Sequence, residues 1–244
     1  ESGQEYVIVQ TDQNCYIGTI EGEECVLLAM YEDLDDGSLV YGNSTAMATS
    51  QTGPYVAFAM QGKEVHVWDI TLLIKSYEKD GVIQGVTPII LDDFEEDVTM
   101  LLWSTHPGSM YLATSGSSRT CQIWDFQDIQ SKQEPMTCLT ESCIREGCFH
   151  PGSNVLSLLS DDGSMSFFQI SPFSAGTTRI HNFSIPTNQV PDKPSLRWES
   201  GDDGRLFLSL SKNLLSWETR DLMQMIDPRG MSSELKILHQ EPVT

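Results

Sequence analysis

The tetrapeptide His-Pro-Gly-Ser occurs twice, at 106–109 and 150–153, and this spacing of 44 residues constrains the fold more than any other feature. Each copy follows an apolar run that ends in an aromatic, Val98 to Trp103 and Ile144 to Phe149. Each precedes a second apolar run, Met110 to Ser115 and Val155 to Ser160. A polar turn and a third run come next, Cys121 to Asp125 and Met165 to Ile170. Pro-Gly punctuation between short runs rich in β-branched and aromatic residues predicts strands joined by tight turns.

The same grammar extends in both directions. Upstream, the turn is Gln51 to Pro54, the second strand Tyr55 to Met60 and the third Glu64 to Asp69. Downstream, Leu196-Arg197-Trp198 precedes a turn at Gly201 to Gly204, then Leu206 to Leu210, then Leu214 to Trp217. The aromatics that end the third strands are Trp68, Trp124, Phe168 and Trp217, and they are expected in the core with Trp103, Phe149 and Trp198. Repetition at this period predicts an all-β repeat architecture. No long stretch carries strong helical periodicity bounded by caps, so no helix is expected.

These units resemble WD repeats, the blades of a β-propeller. The closing dipeptides are Trp68-Asp69 and Trp124-Asp125, with Phe168-Gln169 and Trp217-Glu218 as degenerate equivalents. The Gly-His pair of regular repeats is absent, as is their buried His-Asp network. The resemblance implies a WD-repeat-like β-propeller of about five four-stranded blades, or part of a larger propeller. The blades would occupy residues 5–31 plus 234–240, 44–91, 97–140, 143–184 and 194–227. Outer strands are expected at Val86 to Leu91, Met136 to Leu139, Arg179 to Phe183 and Leu222 to Ile226. Tyr6 to Thr11, Cys15 to Ile20 and Cys25 to Met30 read as strands of one further blade, which lacks its inner strand. Leu235 to His239 is expected to supply that strand, because closure removes exposed edges. A closed five-bladed ring and a fragment of a longer array both fit. Degenerate arrays of this kind also resemble scaffold or sensor regions of larger multidomain signalling proteins.

Charge narrows the partners. The chain has 244 residues, with 35 Asp plus Glu against 14 Lys plus Arg, a net charge of −21. A direct nucleic-acid binder needs a basic footprint, and so does a protein that docks on anionic lipid. No apolar stretch reaches the ~20 residues of a membrane span. The expected partner is another protein or peptide with a basic surface, within a larger chain or complex.

No catalytic signature emerges. The chain contains no Gly-x-Ser-x-Gly, His-Glu-x-x-His or Walker-type loop. His106 and His150 are repeat equivalents, one per blade, and His66 reads as a packing residue beside Trp68. Asp33-Leu34-Asp35-Asp36-Gly37 lacks the spacing and terminal Glu of a calcium loop. The cysteines at 15, 25, 121, 138, 143 and 148 include no Cys-x-x-Cys, so no zinc site and no cofactor are expected. Cys121 and Cys148 sit in apolar alternation and read as small hydrophobes, which points to a reducing compartment, the cytoplasm or nucleus. The sequons at Asn43 and Asn182 point the other way.

In a propeller, the loops leading into the inner strands and those joining second to third strands share one face. That placement gathers Asp33, Asp35, Asp36, Asp92, Asp93, Glu95, Glu96, Asp97, Glu141, Asp161 and Asp162 on one rim, opposite the turns at Gln51, His106, His150 and Gly201. Thr45, Thr99 and Arg145 would start the inner strands, with Arg145 free to anchor a carboxylate or to pair with Glu141. The expected function is a non-catalytic protein-interaction scaffold whose acidic loop face binds a partner. Its partner-binding candidates are Asp92, Asp93, Glu95, Glu96, Asp97, Thr99, Glu141, Arg145, Asp161 and Asp162. The alternative is a propeller hydrolase or lyase with carboxylates around a central channel.

Overall fold

Alternation along the apolar runs decides which strands form and which faces they bury. The computed structural model describes residues 6–10, 15–21, 24–31, 45–60, 63–80, 85–92, 94–127, 134–171, 176–185, 194–199, 205–209, 213–218 and 239–242. They divide into two compact units, residues 1–49 with 54–98, and residues 50–53 with 99–244.

The first unit holds two antiparallel sheets. β1 (Tyr6–Gln10), β2 (Cys15–Glu21) and β3 (Glu24–Tyr31) pair in that order. The second sheet runs β4 (Ala46–Thr49), β5 (Tyr55–Met60), β6 (Glu64–Asp69) and β7 (Ile89–Leu91). Between β6 and β7 lies α1 (Ile70–Asp80), which corrects the expectation of no helix. Asp69 caps it, its Oδ1 accepting the backbone N–H of Thr71 at 2.8 Å and of Leu72 at 3.2 Å. Ile70, Leu73 and Ile74 recur at helical spacing and join Val56, Phe58, Met60 and Trp68 in one core. A helix of 11 residues is marginal alone, so this packing is what sustains it. The signal was hidden because Trp68-Asp69 reads as the end of a strand. The helix lengthens the crossover, so the outer strand begins at Ile89, and Val86 packs against the helix core instead.

The second unit holds three four-stranded antiparallel sheets, each in sequence order. The first has β8 (Met100–Trp103), β9 (Tyr111–Ser115), β10 (Thr120–Asp125) and β11 (Met136–Leu139). The second has β12 (Ile144–Phe149), β13 (Val155–Ser160), β14 (Ser164–Ser171) and β15 (Gly176–Ser184). The third has β16 (Ser195–Trp198), β17 (Arg205–Ser209), β18 (Asn213–Glu218) and β19 (His239–Pro242).

The C-terminal expectation needs correction. Of the strand expected at Leu235 to His239, residues 235–238 lie outside the described residues, and His239 belongs to β19, which pairs with β18, Ser216 opposite His239 and Asn213 opposite Pro242. The strand supplies partners for the otherwise open N–H and C=O groups on the edge of β18. The outer strand expected at Leu222 to Ile226 lies outside the described residues.

One backbone contact marks the repeat. The residue after each Trp-Asp dipeptide, or after its equivalent Phe168-Gln169, donates its N–H to the carbonyl just before the second strand. The pairs are Ile70 to Pro54 at 2.7 Å, Phe126 to Met110 at 2.8 Å, and Ile170 to Asn154 at 2.9 Å. Asp125 turns the chain as Asp69 does, accepting the N–H of Gln127 at 2.8 Å. The Trp-Asp dipeptide therefore pairs a packing residue with a turn-forming one.

The cores of the second unit lie between successive sheets. Leu156 and Leu158 pack with Tyr111, Ile123 and Phe168, whereas Val155 and Leu159 pack with Met165, Leu206 and Trp217. Period-2 alternation sends one set to each side, which is why β13 is buried throughout. Trp68, Phe168, Trp217, Trp103 and Phe149 are buried as expected. Trp124 and Trp198 are only half-buried. The Nε1–H of Trp124 donates to Thr114 Oγ1 at 3.2 Å.

Gly147 sits where β8 and β12 approach. A Cβ there would lie 2.9 Å from Leu102 Cδ1, 2.9 Å from Leu158 Cδ2 and 3.2 Å from the Ser157 carbonyl oxygen. Gly147→Val is therefore expected to cost about 1–3 kcal/mol by overpacking. Urea unfolding checks this, and a midpoint equal to that of the wild type would contradict the close approach.

Candidate functional site

The loop joining β7 to β8 carries the densest group of candidate residues. Asp92, Glu95, Glu96 and Asp97 are exposed, and Asp93 lies outside the described residues. Hydrogen bonds fix the loop through its backbone. Thr45 Oγ1 donates to the Val98 carbonyl at 2.5 Å, and Lys63 Nζ donates to the Glu95 carbonyl. Val98 is buried and Phe94 half-buried, so apolar side chains tether the loop while its acids stay in water. Lys63, at a φ of 67°, is a contributor that sequence reasoning missed, since nothing linked it to a loop 32 residues away.

The candidates of the second unit behave differently. Thr99 is exposed and donates its N–H to the Ser115 carbonyl at 2.9 Å. Arg145 Nε pairs with Asp161, and Glu141 is taken by Arg179 Nη1 at 2.9 Å. Of the two roles left open for Arg145, pairing with Glu141 is not the one found, since Arg145 meets Asp161 and Glu141 meets Arg179. Asp161 follows the end of β13, the strand opposite β12, and its N–H bonds the Cys143 carbonyl at 2.8 Å, which carries its carboxylate to Arg145. Both pairs are well exposed, so each contributes at most about 1 kcal/mol. Asp162 builds its own turn, with Oδ1 accepting the N–H of Ser164 at 2.9 Å and its hydroxyl at 2.6 Å. Asp33, Asp35 and Asp36 lie outside the described residues.

The two identical turns are not identical in structure. In the second, His150 Nδ1 accepts the N–H of Gly152 at 3.0 Å and lies 3.0 Å from Ser153 Oγ. Its ring packs edge-on against Trp198, centroids 4.6 Å apart. In the first, the His106 carbonyl accepts the N–H of Ser109 at 3.2 Å and its hydroxyl at 3.0 Å. His66 is fully buried, its Nε2 lying 3.2 Å from Glu64 Oε2. His181 lies beside the stacked rings of Phe167 and Phe183, and burial pushes its pKa down. Among the described residues, no three His, Cys, Asp or Glu side chains are grouped to hold a metal ion.

A cleft of about 340 Å³ opens at the ends of the inner strands of the second unit. Trp103, Phe149 and Trp198 line it with Thr105, Pro151 and Arg197. The three aromatics are repeat equivalents, so the repeat itself built this wall. Arg197 is exposed and draws on Glu146 of the neighbouring inner strand. Burial pushes the Glu146 carboxyl up, and the Gly147 N–H and Arg197 offset this only in part.

No protein-family model matches the chain, and no curated protein matches it in sequence. Solved structures do resemble it. Sqt1 of Saccharomyces cerevisiae superposes with a TM-score of 0.54 at 14% identity, over 72% of this chain. The match spans 45% of the Sqt1 chain. Likeness at this identity shows the fold alone, and 1111 solved chains match in structure, too many for the fold to specify an activity. Among the described residues, no helix is long and apolar enough to cross a membrane.

Glu146 yields a signed pH dependence. Its folded pKa is raised, so between its unfolded and folded values the native state binds more protons, and stability falls as pH rises. Glu146→Gln removes this titration. Going from about pH 4 to about pH 7, the wild type should lose stability relative to the variant. Parallel stability curves would contradict the burial of a charge there.

Proposed function

We propose that the chain is a non-catalytic, WD-repeat-like protein-interaction module whose partner docks on acidic loops. The observation that carries this reading is the β7–β8 loop. Four of its carboxylates are exposed within six residues, on a backbone held by Thr45 and Lys63. A rigid loop of one sign attracts a complementary surface without an ordering cost at encounter. Asp93 completes the acidic run in the sequence. In the second unit, Asp162 closes its own turn, and Glu141 and Asp161 are already paired with Arg179 and Arg145. The first-unit acids therefore carry most of the attraction, and the partner surface is basic. The net charge of −21 supports the same reading, because long-range steering acts through the summed field.

The test is charge reversal at Asp92, Glu95, Glu96 and Asp97 to Lys, with partners identified by quantitative co-purification from the native cell. The variant should keep its melting temperature and lose at least one protein that accompanies the wild type. That interaction should weaken about tenfold or more as salt is raised, as expected for steering by exposed charges. An unchanged set of co-purifying proteins would overturn the assignment.

A further inference from the structure

Two cysteines with no part in the loop chemistry face one another inside the second unit. Cys121 on β10 and Cys138 on β11 are direct cross-strand partners, and both are fully buried free thiols. Residues directly opposite on antiparallel strands have Cα atoms about 4.5–5.5 Å apart, within the 4.4–6.8 Å range of disulfides. Both side chains belong to the core between the first two sheets of this unit, so they share one face. Each also perturbs or touches named neighbours. Burial, with a smaller push from Cys138, raises the Cys121 thiol well above its usual range. Burial takes Cys138 up to about 12, against the pull of a hydrogen bond from Thr177 on β15.

We propose that Cys121 and Cys138 form a redox site, a dithiol that closes to a cross-strand disulfide with a low-molecular-weight disulfide as oxidant. One thiol loses its proton and attacks the small disulfide, which leaves a mixed disulfide and releases one small thiol. The second cysteine, as thiolate, attacks the protein sulfur of that intermediate and expels the second small thiol. Both protons end on the two small thiols, the protein pair is oxidised by two electrons, and the small disulfide is reduced.

Access sets the timing. Both thiols are shielded, and their protonated forms are favoured in the folded state, so closure of the intact fold is slow. β11 is a four-residue edge strand, a segment suited to local opening. The bridge therefore forms during folding or when β11 detaches. Closure ties the outer strand to β10 and ends the Cys138 contact with Thr177, whose hydroxyl also bonds the Thr137 carbonyl at 2.6 Å. The oxidation state thus acts on the contact between the outer strands of two neighbouring sheets.

The test uses the full chain, refolded from denaturant in mixed reduced and oxidised glutathione. Free thiols are then alkylated, and disulfide-linked peptides are mapped by mass spectrometry. The expected result is a dominant peptide joining Cys121 to Cys138, with a urea midpoint above that of the reduced chain. Native protein held for hours in the same mixture is mapped in parallel, so a poor refolding yield cannot hide the bridge. Cys138→Ala should abolish both the peptide and the midpoint shift. Linkages spread evenly over the six cysteines, or Cys121 and Cys138 both still alkylatable after oxidation, would overturn the proposal.

Discussion

The second unit depends on sheets that are buried on both faces. β13 has no solvent side: Leu156 and Leu158 serve one core, and Val155 and Leu159 serve the next. Because the side-chain period is two, a slip of one residue would exchange both sets at once. Register is therefore fixed twice over in the central sheet. The glycine at 147 fits the same constraint, since a Cβ there would press on Leu102, on Leu158 and on the Ser157 carbonyl. Burial of this kind, at about 25 cal/mol per Å² of apolar surface, outweighs the weak surface ion pairs around Arg145 and Arg179.

A framework fixed from within leaves the polar side chains of its loops exposed to water. The β7–β8 loop shows how the division works. Val98 and the backbone bonds from Thr45 and Lys63 hold it, and its carboxylates take no part in that anchoring. The acids of the second unit sit closer to structural duty, paired with arginines or closing a turn. Acidic composition alone would have treated all of these residues as equivalent. The structure ranks them by what else each carboxylate must do.

Much of the fold was legible because each strand carries its own boundary signals. Tyr55 to Met60, Glu64 to Asp69, Met136 to Leu139, Ile144 to Phe149 and Val155 to Ser160 match strands residue for residue. Polar turns rich in Gly, Pro, Ser, Asp and Glu set most of those ends, and such signals are local. The helix at 70–80 was not legible, because its cap is the Asp of a Trp-Asp pair that otherwise closes a strand. The course of the C-terminal strand depends on which sheet edge is open, a non-local property. The site was less readable than the fold. Arg179 and Asp161 reach their partners across 38 and 16 residues, and no sequence spacing announces such pairs.

The most direct test of the two-faced sheet is a methyl NOE map of β13 in the intact chain. Leu156 and Leu158 should show contacts to methyls of the Ile123 and Ile170 core. Val155 and Leu159 should show contacts to Leu206, Leu208 or Leu215. A map in which both sets reach the same neighbouring sheet, or in which one set reaches only water, would contradict the shared-core arrangement of the second unit.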